Sequence, residues 1–99
     1  MAPSNLTIVA KIQAKPGMED AVRMELQKLV GPTHAEKGCV QYDLHESNSE
    51  PGVFLFFENW NRAADLDRHL ESAHIAVLKG KAEALLAKPI EISKWTKIS

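Results

Sequence analysis

Glu58, Trp60 and His69 lie within a short span of this chain, with Ser72 and His74 just beyond. These residue types can move protons and grip an aromatic ring. Residues 53–60 read Val-Phe-Leu-Phe-Phe-Glu-Asn-Trp, an apolar run opened by Pro51 and Gly52 and too short for an ordinary helix, so they form a strand. Side chains alternate along a strand, which puts Phe54, Phe56, Glu58 and Trp60 on one face and Val53, Leu55, Phe57 and Asn59 on the other. A carboxylate beside an indole among apolar rings calls for a polar partner or a pocket. The following helix, capped by Asn61, carries Leu66, His69, Leu70 and Ala73 on one stripe. With that stripe on the Phe54/Trp60 face, His69 meets Glu58 under Trp60. Such a pair could shuttle a proton near neutral pH. Spacing alone favours a buried brace between helix and sheet.

Other chemistry is thinly represented. The five glycines are scattered, so no phosphate-cradling loop is present, and there is no cysteine-pair zinc pattern and no His-Glu-x-x-His. His69 and His74 are five apart, about 140° around a continuous helix, and Ser72 interrupts them; helical ligand pairs prefer i, i+4, so no metal is expected. His34 and His45 read as surface residues, with His45 open to an interfacial place. Cys39 has no basic cluster beside it and reads as a small buried thiol. Tyr42 either packs or lines a pocket. Serine-nucleophile motifs are missing.

The elements that must position these groups follow from the pattern. Residues 1–4 read as a frayed end, and residues 5–14 alternate as a first strand. Residues 18–34 form a helix with Met18, Val22, Leu26, Leu29 and Val30 on its stripe; Gly31-Pro32 predicts a kink or break, with Thr33 to Glu36 as a loosely helical tail. Residues 39–46 form a strand in which Val40, Tyr42 and Leu44 share a face, joined by a hairpin to residues 53–60. Ser72 caps a further helix that turns Ile75, Leu78, Ala82, Leu85 and Leu86 inward, and residues 90–98 form a last strand. This β-α-β-β-α-(α)-β order fits an α+β ferredoxin-like sandwich, a single domain over residues 1–99 with helices on one face of an antiparallel sheet. The other face would expose Val9, Leu55, Phe57 and Trp95, which predicts a homodimer stacked sheet to sheet.

Composition narrows the partners. Twelve basic and thirteen acidic side chains give a net charge of −1 without blocks of either sign, so nucleic acid is not expected as a partner. No stretch approaches the ~20 apolar residues of a membrane span, no secretion signal is visible, and a single cysteine fits a reducing cytoplasm.

Across residues 5–98 the chain resembles the antibiotic biosynthesis monooxygenase family of small dimeric ferredoxin-like proteins. The resemblance is carried by Lys15-Pro16-Gly17, by Gly38-Cys39-Val40-Gln41-Tyr42, and above all by the pattern Glu58-x-Trp60-x8-His69-x2-Ser72-x-His74. It implies a pocket between sheet and helices where a quinol or polycyclic phenol is oxidised by O2 without flavin, haem or metal. By the same resemblance His69 is the base or hydrogen-bonding group, Glu58 orients it, Trp60 and Phe56 form the aromatic wall, Tyr42 adds to the pocket, and His74 stands at its mouth. Haem-degrading relatives carry an axial histidine further along the helix, and the corresponding place here falls near Lys79, which argues against haem. A branch that isomerises a small phosphorylated dione supplies an alternative, with Arg62, Arg68 and Lys79 as phosphate partners. A non-enzymatic binder of a hydrophobic metabolite is the third reading.

Overall fold

Alternating apolar residues in four segments build one antiparallel sheet, and two longer periodic segments cover a single face of it. The structure is a computed structural model that describes residues 6–99; the expected frayed end and Asn5 lie outside these. In chain order the elements are β1 (Leu6–Gln13), α1 (Glu19–His34), β2 (Cys39–Glu46), β3 (Val53–Trp60), α2 (Ala63–Leu70), α3 (Ala73–Leu85) and β4 (Glu91–Thr96). The sheet order is β2-β3-β1-β4, the arrangement of a ferredoxin-like sandwich. Each crossover helix returns the chain to the far side of a central strand, as right-handed split βαβ units require.

Register decides which residues can share a site. Ile8 faces Glu58, Ala10 faces Phe56, and Ile12 faces Phe54 across β1 and β3. Tyr42 faces Glu58 and Leu44 faces Phe56 across β2 and β3, while Ile92 of β4 lies opposite Ala10. These residues form the inner face. Val22, Leu26 and Leu29 of α1 and Ile75 and Leu78 of α3 close over it as the core. Among the described residues no helix is long and apolar enough to cross a membrane.

Four local expectations are corrected. Helix α1 runs on through Gly31-Pro32 to His34, and Ala35 N–H reaches Gly31 O at 3.3 Å. Pro32 sits in the last exposed turn, where the one carbonyl it leaves unbonded can meet water. The cap of α2 is Arg62, in extended conformation and without a side-chain bond; Asn61 instead donates its backbone N–H to Gly38 O at 2.9 Å. A bulge between Cys39 and Gln41 turns Val40 outward, so it leaves the Tyr42 face. Strand β4 ends at Thr96, short of Ile98. Ser72 does cap α3, its hydroxyl accepting from Ile75 N–H at 3.4 Å.

Gly38 fastens the α1–β2 connection to α2. Its φ is +84°, and a Cβ there would overlap the buried Asp65 carboxyl group. Gly38→Ala should therefore lose at least about 2 kcal/mol in chemical denaturation, from left-handed strain and a displaced buried carboxylate. Gly80→Ala, in α3 with open space around it, should gain about 0.5–1 kcal/mol by the helix-propensity difference.

Candidate active site

Between the sheet and α3 lies a cavity of about 300 Å³. Aliphatic side chains from β1, α1, α3 and residues 89–92 make most of its wall, and Tyr42, Phe56, Glu58, His69 and Lys79 bring its aromatic and polar groups. Strand alternation and register explain the first three: Tyr42, Phe56 and Glu58 are inner-face neighbours on β2 and β3. His69 comes from the last turn of α2, 2 % exposed, with its ring against Trp60 (centroids 4.7 Å apart) and edge-on to Tyr42 (5.4 Å).

The expected Glu58–His69 contact gives way to two separate pairings. His69 Nδ1–H donates to Glu36 Oε2 at 2.7 Å, and Trp60 Nε1–H donates to Glu58 Oε1 at 2.9 Å. The reason is positional. Glu36 lies in the α1–β2 connection, just before the strand end where Cys39 pairs with Trp60, so it reaches the Nδ1 side of the buried imidazole. Glu58, 4 % exposed, already has the indole of its own strand. Orientation of His69 therefore falls to Glu36, not Glu58.

The electrostatics give each group a distinct state. A carboxylate can only accept, so Nδ1 of His69 carries the proton and Nε2 keeps its lone pair, on a ring that lines the cavity. Burial pushes the His69 imidazolium down in pKa, and the Glu36 charge opposes this. Burial pushes Glu58 up to about 7, with the Glu36 charge adding and the Trp60 N–H opposing. The Tyr42 phenol is held far above its ordinary range by burial, so it remains a donor. A neutral base and a near-neutral acid thus line one apolar space.

Glu58 makes stability depend on pH. A carboxyl whose pKa is raised on folding stabilises the fold below its ordinary range, and that contribution is lost as pH rises through about 7. A shift of this size is worth about 3 kcal/mol. Wild-type stability should therefore fall between about pH 5 and pH 8 relative to Glu58→Gln, measured by urea melts at each pH. Parallel pH profiles for the two proteins would contradict the assignment.

The remaining candidates are distributed as follows. Phe56 and Tyr42 line the cavity and stack at 4.4 Å. Trp60 is fully buried and stands behind Glu58 and His69, supporting the wall without forming it. His74 faces a separate shallow cleft with Glu25 and Lys28, and its Nε2–H donates to the same Glu36 oxygen at 2.7 Å. It does not stand at the main cavity. Arg68 hydrogen-bonds Asp65 at 3.0 Å and Arg62 lies 3.8 Å from it, and neither lines the cavity, which leaves Lys79 as the basic residue of the three there. Glu36 escaped the sequence reading, and its signal is faint: an acid two residues before a turn glycine.

Residues 5–86 match the antibiotic biosynthesis monooxygenase family. The chain belongs to this family. Among its relatives, an uncharacterised Synechocystis protein, sll1783, is 33% identical over 91 residues, covering 92% of this chain. The chain spans only 62% of that protein's length. Rv0793 of Mycobacterium tuberculosis, named provisionally as a monooxygenase, is 31% identical over 90 residues, 91% of this chain and 88% of that one; its solved structure superposes with a TM-score of 0.88, covering 97% of each chain. The crystal structure of PA3566 from Pseudomonas aeruginosa is 36% identical with a TM-score of 0.93, covering 97% of this chain and 96% of that one. The monooxygenase-family fold is thus shared over nearly the whole chain.

Proposed function

We propose that the cavity binds a flat phenol or quinol of two or three rings and that the protein oxygenates it with O2, without flavin, haem or metal. The observation that carries this reading is the His69 imidazole, buried at an apolar cavity with its proton fixed on Nδ1 by Glu36, which leaves Nε2 as a free base. Family membership and the provisional monooxygenase names of Rv0793 and of YcnE from Bacillus subtilis support it. His69 Nε2 takes the substrate proton. The electron-rich anion passes one electron to O2, and the two radicals recombine at a ring carbon. After proton return, the hydroperoxide breaks its O–O bond and gives up the hydrogen on the same carbon, so water leaves and a carbonyl remains; on a quinol, whose ring supplies the two electrons, the product is the hydroxyquinone tautomer. The apolar wall strips water from the anion, and Glu58, protonated or poised to be, can return a proton to the peroxide. A cavity of about 300 Å³ lies at the lower end of the ligand-pocket range, which suits a compact aromatic.

Oxygen-electrode traces with a naphthoquinol and an anthrone test this. Uptake should exceed the uncatalysed rate several-fold with metal-free protein, and a panel giving no excess uptake would overturn the reading. Phosphorylated diones are disfavoured because Arg62 and Arg68 lie beside Asp65 and do not line the cavity, which leaves Lys79 alone to meet a phosphate there.

We propose further that two subunits stack through the bare sheet face. Val9, Leu55 and Phe57 are half-buried there, and Trp95 is 58% exposed. An apolar patch of this kind on a small domain marks an interface. Sedimentation at micromolar concentration should give the mass of a dimer; a monomer would refute it. The lone half-buried thiol of Cys39 suits a reducing cytoplasm, where we place the protein's work.

A further inference from the structure

We infer that Glu36, His69 and His74 form a divalent-metal site of the zinc type that adjoins the substrate cavity through His69. The helix break at Ser72 creates it. On one continuous helix the two histidines would point apart, but α2 ends at Leu70 and α3 begins at Ala73, which returns His74 to the side of His69. Their ring centroids are 5.9 Å apart. Two imidazoles on one tetrahedral zinc, with Zn–N of about 2.1 Å, bring their centroids to about 5 Å.

The donor atoms already converge. Glu36 Oε2 lies 2.7 Å from His69 Nδ1 and 2.7 Å from His74 Nε2, and all three atoms fall within 4.8 Å of one another. Opening this cluster by about 1 Å would admit an ion at zinc distances. Glu36 sits on a connection and His74 in the first turn of α3, so both can yield. Two nitrogens and one carboxylate oxygen suit Zn²⁺ or Co²⁺, with a further position left for water. Access comes from the outer side, where the Glu36 and His74 side chains remain 14% and 21% exposed. The Trp60 and Tyr42 rings hold His69 in place, as outer-shell groups do around metal ligands.

Occupancy would change what His69 offers the cavity. Coordination through Nδ1 moves the imidazole proton to Nε2, so the lone pair that His69 otherwise keeps becomes an N–H donor. The ring stays neutral, and no proton is gained or lost. The metal therefore switches off the base without entering the substrate's space. This second step rests on the function proposed above; the binding itself does not.

Titration calorimetry with Zn²⁺ and visible spectra with Co²⁺ test binding directly. Wild type should take up one equivalent per chain, with the d–d bands of low-coordinate cobalt. His74→Ala and Glu36→Gln should each weaken binding by at least about a hundredfold, beyond the loss expected of an outer-shell partner. Circular dichroism reports whether each variant is folded; should Glu36→Gln fail to fold, His74→Ala carries the comparison. Equal affinity in wild type and His74→Ala would overturn the site and leave the cluster a hydrogen-bonded brace only. Nitrogen-15 spectra of labelled histidine give the second readout: Zn²⁺ should move the His69 proton from Nδ1 to Nε2. A proton that stays on Nδ1 at saturating Zn²⁺ would overturn the switch. Neither measurement depends on turnover, so an inactive protein would not confuse the result.

Discussion

His69→Ala should lower turnover of an aromatic substrate by about 10²–10⁴-fold, the usual worth of a positioned general base. The imidazole is 2 % exposed, yet its loss should cost the fold little more than about 1–2 kcal/mol. Glu36 keeps a second partner in His74, so no buried carboxylate is stranded. The deletion also leaves a ring-shaped space between Trp60 and Tyr42. Added imidazole should enter it and restore part of the rate. Rescue of turnover without a change in melting temperature would separate chemistry from support. If His69→Ala instead lost as much stability as Trp60→Ala and imidazole rescued nothing, the histidine would be a brace.

Trp60→Ala should damage both properties together. Removing a fully buried indole costs about 3–5 kcal/mol through lost burial and the cavity left behind. Two further effects follow from its contacts. Glu58 loses its N–H donor, the one interaction holding its pKa down against burial, so it should become harder to ionise. The His69 ring loses the surface it lies on. Trp60→Phe keeps an aromatic ring but removes the hydrogen bond together with part of the indole's bulk; about 1–3 kcal/mol is expected for leaving the carboxyl without its donor, on top of the smaller cavity cost. Urea melts of the three proteins, with turnover measured beside them, check the order. A Trp60→Phe protein no less stable than wild type would show that the indole N–H matters little to Glu58.

These variants probe the parts of the site that the sequence could and could not disclose. β2 and β3 were legible to the residue because alternation is a local signal and turn residues bound both segments. Ser72 was legible because a cap needs only its own neighbours. Glu36 was not, because its contact with His69 spans 33 positions and depends on how the α1–β2 connection meets α2. No periodicity records such a meeting. The displaced cap at Arg62 has the same kind of origin: Asn61 bonds to Gly38 across the sheet end, and tertiary contact overrides local preference. Pro32 erred the other way, since a breaker in an exposed last turn loses only one bond.

The short connection from Ala35 to Gly38 is anchored to α2 twice, by Glu36 on His69 and by Gly38 against Asp65. Surface connections ordinarily absorb insertions and deletions with little consequence. Here one added or removed residue would pull the carboxylate off the imidazole while leaving every cavity-lining side chain intact. Length, more than composition, is therefore what natural drift and protein engineers must preserve in this segment.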